Sequence, residues 1–411
     1  MGKLEELIQQ HCPNGVEYKK LGDLGTFENI GVDKKTIEGQ PLVSLLNYVD
    51  VYKNIHIDNN VPKMVVSATP KKIKDCTCEK GDIFLTPTSE TREDIGHASV
   101  ITETLVNTVY SYHIMRFRLT ETNNMITSFF IRYLFETELV QKQIYKLAKG
   151  LTRFGLSKYD FAKIEIPYPP IEVQEEIVRI LDNFAELQAE LQAELQKRLQ
   201  QYNYYRDNLL SFEGRTDIEW KRLGDVATFI YGYTAKAEEH GEVRYIRITD
   251  ITDGGCLTPD NGKYISYTQD VEPYLLKKGD LVMARTGATY GKTLYYNEDY
   301  LSAYASFLIK INLQDLVNPR FYWHFSKSNL YWEQARKLVG GGAQPQFNTG
   351  AISQIRIPIL PLTEQQRIVD ILDRFDALTN DITDGLPAEI EARRKQYEYY
   401  RDQLLTFKHK A

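Results

Sequence analysis

Cysteine is scarce in this sequence, and its spacing does not fit a metal site. The four cysteines, Cys12, Cys76, Cys78 and Cys256, do not form two CxxC pairs, and the pair at 76 and 78 lacks nearby partners. The seven histidines are scattered without the intervals typical of metal ligands. Reduced thiols in a cytosolic protein are therefore a better interpretation than a zinc site.

Long hydrophobic runs are also missing. No stretch approaches eighteen apolar residues, and the opening MGKLEELIQQ contains no apolar signal region. The same opening lacks the Ser or Thr that N-myristoylation needs at its sixth position. We therefore expect a soluble cytoplasmic protein without a membrane partner.

Catalytic motifs are absent as well. There is no GxxxxGK[ST] loop, so we expect no ATP site. The [D/N]PP[Y/F] loop with which adenine methyltransferases hold a flipped base has only a distant match, NPRF at 318–321, where arginine replaces the second proline. The nuclease-like triplets EYK at 17–19 and EWK at 219–221 have no Pro-Asp before them at a suitable spacing, and we interpret them as the beginnings of β segments in the repeated frame. Catalysis by this chain is therefore not predicted.

The acidic residues are unevenly distributed. The net charge is −6, yet residues 16–170 and residues 214–361 each carry +1. Most of the excess acid lies in two segments that we predict to be helical, residues 171–213 and 362–411. The net charge thus does not argue against a nucleic-acid partner, although it does not indicate one either.

The sequence contains an internal repeat. IPYPPIEVQEEIVRILDNF at 166–184 matches IPILPLTEQQRIVDILDRF at 357–375, and QYNYYRDNLLSF at 201–212 matches QYEYYRDQLLTF at 396–407. Shorter matches precede them, VEYKKLGDLGTF with IEWKRLGDVATF and KGDIFLTPTSET with KGDLVMARTGAT. An internal repeat of this kind has pseudo-two-fold symmetry, which suits a two-fold target such as duplex DNA.

The repeat divides the chain into five segments. Short β-type runs alternate with Gly, Asn and Asp turns and helical stretches in both large segments, which predicts two mixed α+β domains. The predicted helical stretches inside these domains lie near 126–147 and 318–338. The segments are an N-terminal helix (1–15), a first domain (16–170), a central helix (171–213), a second domain (214–361) and a C-terminal helix (362–411).

The two helical segments carry apolar stripes at spacings of three and four residues. We expect them to pack antiparallel as a coiled-coil spacer between the domains. The alternative is that each helix folds back on its own domain. In the second segment, GLP at 385–387 predicts a break or kink.

Residues 185–196 consist of three identical AELQ tetrapeptides. All four residue types favour helix. A four-residue step turns each successive leucine about 40° around the helix, so the tetrads do not form a regular coiled-coil seam. They indicate either a length that can change by whole tetrads, about 6 Å per copy, or low-complexity helix with no such role.

These repeated blocks, the stretch DGLPAEIEARRKQYEYYRD and the AELQ tetrads resemble the specificity subunits of type I restriction–modification enzymes, most closely the type IC branch. The resemblance covers the whole chain. It implies two target-recognition domains, each reading one half of a split DNA site, and helices that set the gap between the halves. It also implies that tetrad number acts as a spacer ruler, although the second helical segment has no matching tetrads.

The resemblance further implies a non-catalytic subunit that binds two methyltransferase subunits and, through them, restriction subunits. No cofactor is expected on this chain, whereas S-adenosylmethionine, ATP and Mg²⁺ are implied for the partners. The candidate partner-binding residues lie in the repeated helical blocks: Phe184, Tyr204, Tyr205, Arg206, Phe375, Tyr399, Tyr400 and Arg401.

Candidate DNA-binding residues are polar side chains on loops that the repeat places at equivalent positions, with Lys71, Lys72 and Lys74 added as a phosphate contact. In the first domain they are Lys71, Lys72, Lys74, Thr88, Ser89, Thr91, Arg92, Lys149, Thr152 and Arg153. In the second domain they are Arg285, Thr286, Thr289, Tyr290, Lys292, Gln344, Gln346 and Asn348. For any single residue an ordinary solvated loop is an equally good interpretation. A helical scaffold with two protein-binding domains is the alternative function.

Overall fold

The structure, a computed structural model, describes residues 2–120, 126–212, 214–258, 261–339, 346–380 and 385–410. Two compact units are present. The first unit contains Met1–Ala189 and Ala392–Ala411, and the second contains Glu190–Glu391. The long helices, which the sequence separates as segments of their own, thus contribute residues to both units.

The first unit is built on a five-stranded and a three-stranded sheet, with two short strand pairs beside them. In sheet order, the larger sheet contains Gly25–Glu28, Met115–Leu119, Ile83–Leu85, Ala98–Ile101 and His56–Ile57. The smaller sheet contains Met64–Ser67, Leu42–Leu46 and Thr108–Tyr110. Glu17–Lys20 pairs with Glu165–Tyr168, and Thr88–Ser89 pairs with Phe154–Gly155. The helices are Gly2–His11, Leu21–Leu24, Tyr48–Lys53, Pro70–Asp75, Ser128–Leu134, Glu138–Leu147 and Lys158–Phe161.

The second unit repeats this arrangement with a four-stranded and a three-stranded sheet. The larger sheet contains Ala227–Tyr231, Leu308–Leu313, Leu281–Ala284 and Thr293–Tyr295, and the smaller contains Tyr264–Ile265, Val243–Ile246 and Ser302–Tyr304. Glu219–Arg222 pairs with Arg356–Ile359 as the first and last strands of the domain. The α-helices are Leu223–Val226, Pro319–Phe325, Asn329–Leu338 and Thr349–Ile352, and 3₁₀ turns form at Ile248–Asp250, Glu272–Tyr274 and Gly287–Thr289.

A Lys-Gly-Asp turn before the central strand has the same structure in both units. Gly81 and Gly279 have φ of 88° and 91°, in the left-handed region that a side chain would strain. Asp82 and Asp280 each accept a hydrogen bond from the backbone N–H three residues earlier, at 2.7 and 2.8 Å. The repeated tripeptide is therefore a structural turn.

A buried glutamine fixes the beginning of each long helix. Gln174 and Gln365 are fully buried, and each amide NH₂ donates to the carbonyl five residues earlier, at 2.7 and 2.8 Å. Their side-chain oxygens accept from the backbone N–H of Thr127 and Asn318 at 3.0 and 2.8 Å. The repeated Pro-rich exit and the glutamine thus orient the helix against its own domain in the same way twice.

The central helix (Ile171–Ser211) is a continuous 41-residue helix, close to the predicted segment. The second helical segment contains the penultimate helix (Leu362–Asn380) and the last helix (Leu386–Leu404). The predicted interruption near Gly385 is confirmed, and residues 381–384 lie outside the described residues.

Aromatic contacts pair the long helices within each unit. In the first unit, Phe184 of the central helix stacks on Tyr400 of the last helix at 5.8 Å. In the second unit, Tyr205 stacks on Phe375 of the penultimate helix at 5.3 Å. Later residues of the central helix therefore meet earlier residues of the other segment, which is the order expected for antiparallel helices.

The long helices also belong to the domain cores, as the alternative interpretation anticipated. Val173, Ile177 and Leu181 are fully buried in the first unit's core, as are Ile368 and Leu372 in the second's. Each long helix therefore packs into a domain core through its earlier turns and pairs with the other helical segment through later residues.

A second polar contact joins each domain to its long helix. In the first unit the Tyr133 hydroxyl donates to the Asp182 carboxylate at 2.5 Å. In the second, His324 and Asp373 are 2.7 Å apart, and His324 also contacts the Tyr202 hydroxyl at 3.1 Å. Burial lowers the pKa of His324 to about 4, against the opposing effect of the Asp373 hydrogen bond. His324 is therefore neutral at pH 7.

Each of two stretches predicted as a single helix forms two shorter helices. The stretch near 126–147 divides into Ser128–Leu134 and Glu138–Leu147, and the stretch near 318–338 divides in the same way. Thr137 and Ser328 are the N-caps at which the second helices begin. Apolar periodicity continues across both junctions, so it did not reveal the capping residues.

Candidate nucleic-acid interface

Two polar loops of the second unit are joined by a backbone hydrogen bond. Strand Leu281–Ala284 ends directly before Arg285, whose carbonyl accepts from the N–H of Phe347 at 2.7 Å. Thr286 and Gln346 form an isolated antiparallel bridge beside it. Both loops were predicted to approach DNA, and the structure brings their ends together. Gln344 lies outside the described residues.

The first unit has the same loop pair. The N–H of Leu156 donates to the carbonyl of Pro87 at 2.9 Å, and Thr88–Ser89 pairs with Phe154–Gly155. Pro87 corresponds to Arg285, and Leu156 to Phe347, at the offsets of the sequence repeat. The predicted equivalence of these loops is confirmed at the level of the backbone.

An exposed patch beside the second loop pair centres on an arginine. This second patch consists of Tyr231, Arg285, Ser306, Phe307 and Thr349. The guanidinium carbon lies 5.2 Å from the centre of the Tyr231 ring and 5.5 Å from that of Phe307. Its Nε–H donates to the Ser306 carbonyl at 3.1 Å. The two rings are 41% and 52% exposed, so the arginine lies between aromatic side chains that face solvent.

The corresponding first patch has different chemistry. It consists of the exposed residues Asn29, Tyr112, His113, Lys158 and Tyr159. The Tyr112 and His113 rings are 4.0 Å apart, and the Lys158 amine lies 5.3 Å from the centre of the Tyr159 ring. With Pro87 and Thr88 these side chains line a depression of about 330 Å³. Aromatic rings and donors suit contacts with bases and phosphates.

The sequence analysis did not select the additional patch residues. They come from three separate segments, and singly they are common surface residues. The repeat contained a usable signal, because Asn29 and Tyr231 each lie two residues after the matched Phe27 and Phe229. A position where the two copies of the repeat carry different residues, beside residues that match, is a candidate for a functional difference between the two domains.

The predicted lysine cluster lies on the helix Pro70–Asp75. Lys71 and Lys74 are exposed and available to a phosphate. The Lys72 amine instead donates to the carbonyls of Ile30 and Gly31, the latter at 3.3 Å. Lys72 therefore stabilises the segment that follows Asn29 of the first patch.

Other candidates in the first unit surround its loop pair. Arg92 lies over the rings of Tyr145 and Phe154, at 5.6 and 5.0 Å, and lines a cavity of about 580 Å³. The Ser89 hydroxyl donates to Asp94 at 3.2 Å and accepts from the N–H of Thr91 at 3.4 Å. The remaining candidates are exposed: Lys149, whose amine is 3.9 Å from Asp160, with Thr152 and Arg153.

Several candidates in the second unit have structural partners. The Tyr290 ring packs edge-on against Trp332 at 5.7 Å. Asn348 is the N-cap of Thr349–Ile352. Lys292 forms an ion pair with Asp253. The Thr289 hydroxyl donates to the Thr286 carbonyl at 3.4 Å. These contacts shape the loops, which leaves Arg285 as the charged side chain that the second patch presents.

The candidate partner-binding residues fall into three groups. Phe184, Tyr205, Phe375 and Tyr400 take part in the helix pairing described above. Arg206 and Arg401 are largely buried and bind the neighbouring Asp207 and Asp402. Tyr204 and Tyr399, at equivalent positions of the repeat, are 65% and 61% exposed. These two tyrosines are more exposed than Tyr205, which is 41% exposed.

The motif-like strings have structural roles. The Asn318 side chain of NPRF caps the helix Pro319–Phe325, accepting from the N–H of Arg320 at 2.8 Å. EYK and EWK lie in the paired strands Glu17–Lys20 and Glu219–Arg222. Among the residues that the structure describes, no group of three His, Cys, Asp or Glu side chains could hold a metal ion. Within the same residues, no helix has both the length and the apolar character needed to span a bilayer.

Comparisons with known proteins agree on one family. The family model described as "Type I restriction modification DNA specificity domain" matches residues 13–201 and 216–392. The chain is 37% identical over 275 residues to the type I restriction enzyme EcoR124I/EcoR124II specificity subunit of Escherichia coli, an alignment covering 62% of this chain and 66% of that protein. It is 36% identical to a putative type I specificity subunit of Haemophilus influenzae, covering 63% and 68%. The chain thus aligns with just under two thirds of the first relative.

Solved structures share the fold. A type I restriction–modification S subunit from M. genitalium matches with a TM-score of 0.55 at 13% identity, covering 95% of this chain and 96% of that one. A chain from a study of type I complex assembly and conformational transition matches with a TM-score of 0.56 at 16% identity, covering 96% and 98%. The resemblance drawn from the sequence is confirmed. The chain belongs to the type I restriction–modification DNA specificity family, with one specificity domain matched in each half of the sequence.

Proposed function

We propose that each unit reads one half of a bipartite DNA site through the patch beside its loop pair. The first patch would contact one half-site and the second patch the other. Lys71 and Lys74, with Lys149 and Arg153, would hold phosphates near the first half-site. The type IC assignment remains a sequence prediction.

One observation supports this proposal above the others. The loop pairs have the same backbone hydrogen bond in both units, from Leu156 to Pro87 and from Phe347 to Arg285, yet the patches beside them consist of different side chains. A common frame with exchanged surface side chains suits two readers of different base sequences. A scaffold that bound one kind of partner protein twice would favour similar patches.

The long helices would set the gap between the half-sites and bind two methyltransferase subunits. Leu187 of the first AELQ tetrad is 36% exposed, whereas Leu191 and Leu195 are half-buried. All three leucines are thus at least partly exposed, and a four-residue step turns them about 40° apart around the helix, which supports a segment chosen for its length. Tyr204 and Tyr399 are aromatic, exposed and equivalent, properties of residues that contribute strongly to protein–protein interfaces.

Catalysis would reside in the partners. The methyltransferase subunits would bind S-adenosylmethionine, and restriction subunits that join through the complex would bind ATP and Mg²⁺. This chain would supply DNA selection in the cytoplasm and bind none of these cofactors.

A competition experiment tests the proposed function. The chain assembled with its methyltransferase subunits should retain a labelled duplex carrying the mapped site against excess duplex in which either half-site is scrambled. Equal competition by the intact and scrambled duplexes would contradict the proposal and favour the protein-binding scaffold.

A further inference from the structure

We propose that Arg285 reads a guanine in the major groove of one half-site, through the N7 and O6 atoms of that base. The inference rests on the proposed function and adds to it the identity of one recognised base.

The side chain of Arg285 uses one of its three guanidinium nitrogens in a hydrogen bond within the patch. The side-chain Nε–H is bound to the Ser306 carbonyl at 3.1 Å, which anchors the inner edge of the guanidinium. Among the described residues, neither Nη1 nor Nη2 has a hydrogen-bond partner. Two parallel donors on one rigid plane match two acceptors side by side.

The neighbouring rings hold this plane without using its donors. Tyr231 and Phe307 both lie within 5.5 Å of the guanidinium carbon, and cation–π attraction stabilises the charge through the ring faces. The Tyr231 ring is itself tied to the loop, because its hydroxyl lies 3.2 Å from that of Thr349. The arginine therefore loses little conformational freedom on binding, which favours recognition.

Charge distinguishes this arginine from others of the second unit. Arg247 is paired with Asp250 at 2.7 Å, and Arg320 with Asp373 at 2.8 Å. The second patch contains no carboxylate. No carboxylate of the patch compensates the positive charge of Arg285, which is half-buried, and the ligand that it suits is electron-rich.

Base chemistry selects guanine. In the major groove only guanine presents two adjacent acceptors, and arginine paired with them is the commonest base-specific contact. A phosphate also accepts two hydrogen bonds from arginine, but it does not need a plane fixed between two rings. Pro87 occupies the equivalent position in the first unit, so this contact belongs to one half-site only.

The test uses 7-deazaguanine, which keeps base pairing and lacks the N7 acceptor. The full chain, assembled with its methyltransferase subunits, is titrated with the mapped duplex and with duplexes in which each guanine is replaced singly. We expect replacement of one guanine, in one half-site, to weaken wild-type binding about fivefold or more. Arg285→Ala should bind the unmodified duplex correspondingly weakly and show no further loss on that replacement.

Two additional variants separate base reading from misfolding and from loss of charge. Phe307→Leu removes one ring and should reduce, without abolishing, the discrimination at the same guanine. Arg336→Ala, at an exposed arginine of the helix Asn329–Leu338, should leave the discrimination unchanged.

The proposal is overturned if no guanine replacement is coupled to Arg285, or if Arg285→Ala weakens specific and unrelated duplexes equally, as a phosphate contact would. Either result leaves the proposed function intact, because wild-type selectivity persists. Loss of all sequence preference in the wild-type complex would instead contradict both.

Discussion

The backbone N–H of Phe347 donates to the carbonyl of Arg285 at 2.7 Å, and the equivalent bond from Leu156 to Pro87 is 2.9 Å long. The bond brings together two segments about sixty residues apart in sequence. The backbone geometry is the same in the two units, whereas the side chains around it differ. This hydrogen bond therefore belongs to a backbone frame that the two units share and that carries different side chains in each.

The first prediction concerns the buried glutamine at the beginning of the penultimate helix. Gln365→Ala would leave the Asn318 N–H and a buried carbonyl without a partner, and each orphaned group costs about 1–3 kcal/mol. We expect a clear loss of stability in urea unfolding. Its neighbour Gln366 is exposed, so Gln366→Ala should change stability by less than about 0.5 kcal/mol. Equal effects of the two substitutions would refute the structural role.

The second prediction concerns pH. The pKa of His324 is lowered from 6.5 to about 4, so as the pH falls below about 6.5 the unfolded chain binds a proton that the folded chain does not. The stability that neutral, buried His324 provides is fully present above about pH 6.5 and is lost progressively as the pH falls to about 4. The loss in the free energy of unfolding should approach about 3 kcal/mol.

The repeat supplies the control variant. His324→Tyr copies Tyr133, which hydrogen-bonds Asp182 in the first unit, and it removes the titrating group. Urea unfolding across this pH range should show a shallower decline for the variant than for the wild type. Identical pH profiles would show that His324 is not the group responsible.

The third prediction concerns the tetrads. Deleting one AELQ shortens the helix by about 6 Å, close to the rise of two base pairs at about 3.4 Å each. The preferred gap should shrink while both half-site sequences stay the same. Leu187→Gln keeps the length and alters an exposed side chain, so its gap should equal that of the wild type. A changed half-site with an unchanged gap would contradict the ruler.

The fourth prediction concerns the exposed tyrosines. Tyr204→Ala and Tyr399→Ala should each weaken the binding of one methyltransferase subunit, by about 2 kcal/mol or more if these residues are interface hot spots. The double variant should lose the binding of both methyltransferase subunits. Native mass spectrometry reports the stoichiometry, and Tyr145→Ala, at a 47%-exposed tyrosine of the first domain, is the control. If the double variant still bound two methyltransferase subunits, Tyr204 and Tyr399 would not be part of the methyltransferase-binding surface.

Much of the fold could be predicted because the repeat constrains it. Two α+β domains, a long central helix and an interruption near Gly385 follow from periodicity and from Gly and Pro positions. The division of two helices at Thr137 and Ser328 was missed because a Thr or Ser inside a periodic stretch is compatible with continued helix. The sequence left two alternatives for the long helices, pairing with each other or folding back on their own domains. The structure contains both kinds of contact.

The site was harder to predict than the fold. The repeat placed the loop pairs correctly, but Asn348 and Tyr290 were selected by residue type, and their side chains proved to cap a helix and fill a core. Tyr231 and Phe307 join Arg285 only through strand pairing across the larger sheet. Pairing of that kind depends on contacts distant in sequence, which a single chain read in order does not reveal.

Methylation mapping tests the central claim most directly. A strain carrying the complete system with this chain should methylate a bipartite site, and Arg285→Ala should relax or weaken one half-site while the other half and the gap stay unchanged. A continuous site, or a substitution in the second patch that altered both halves equally, would contradict the assignment of one unit to each half-site.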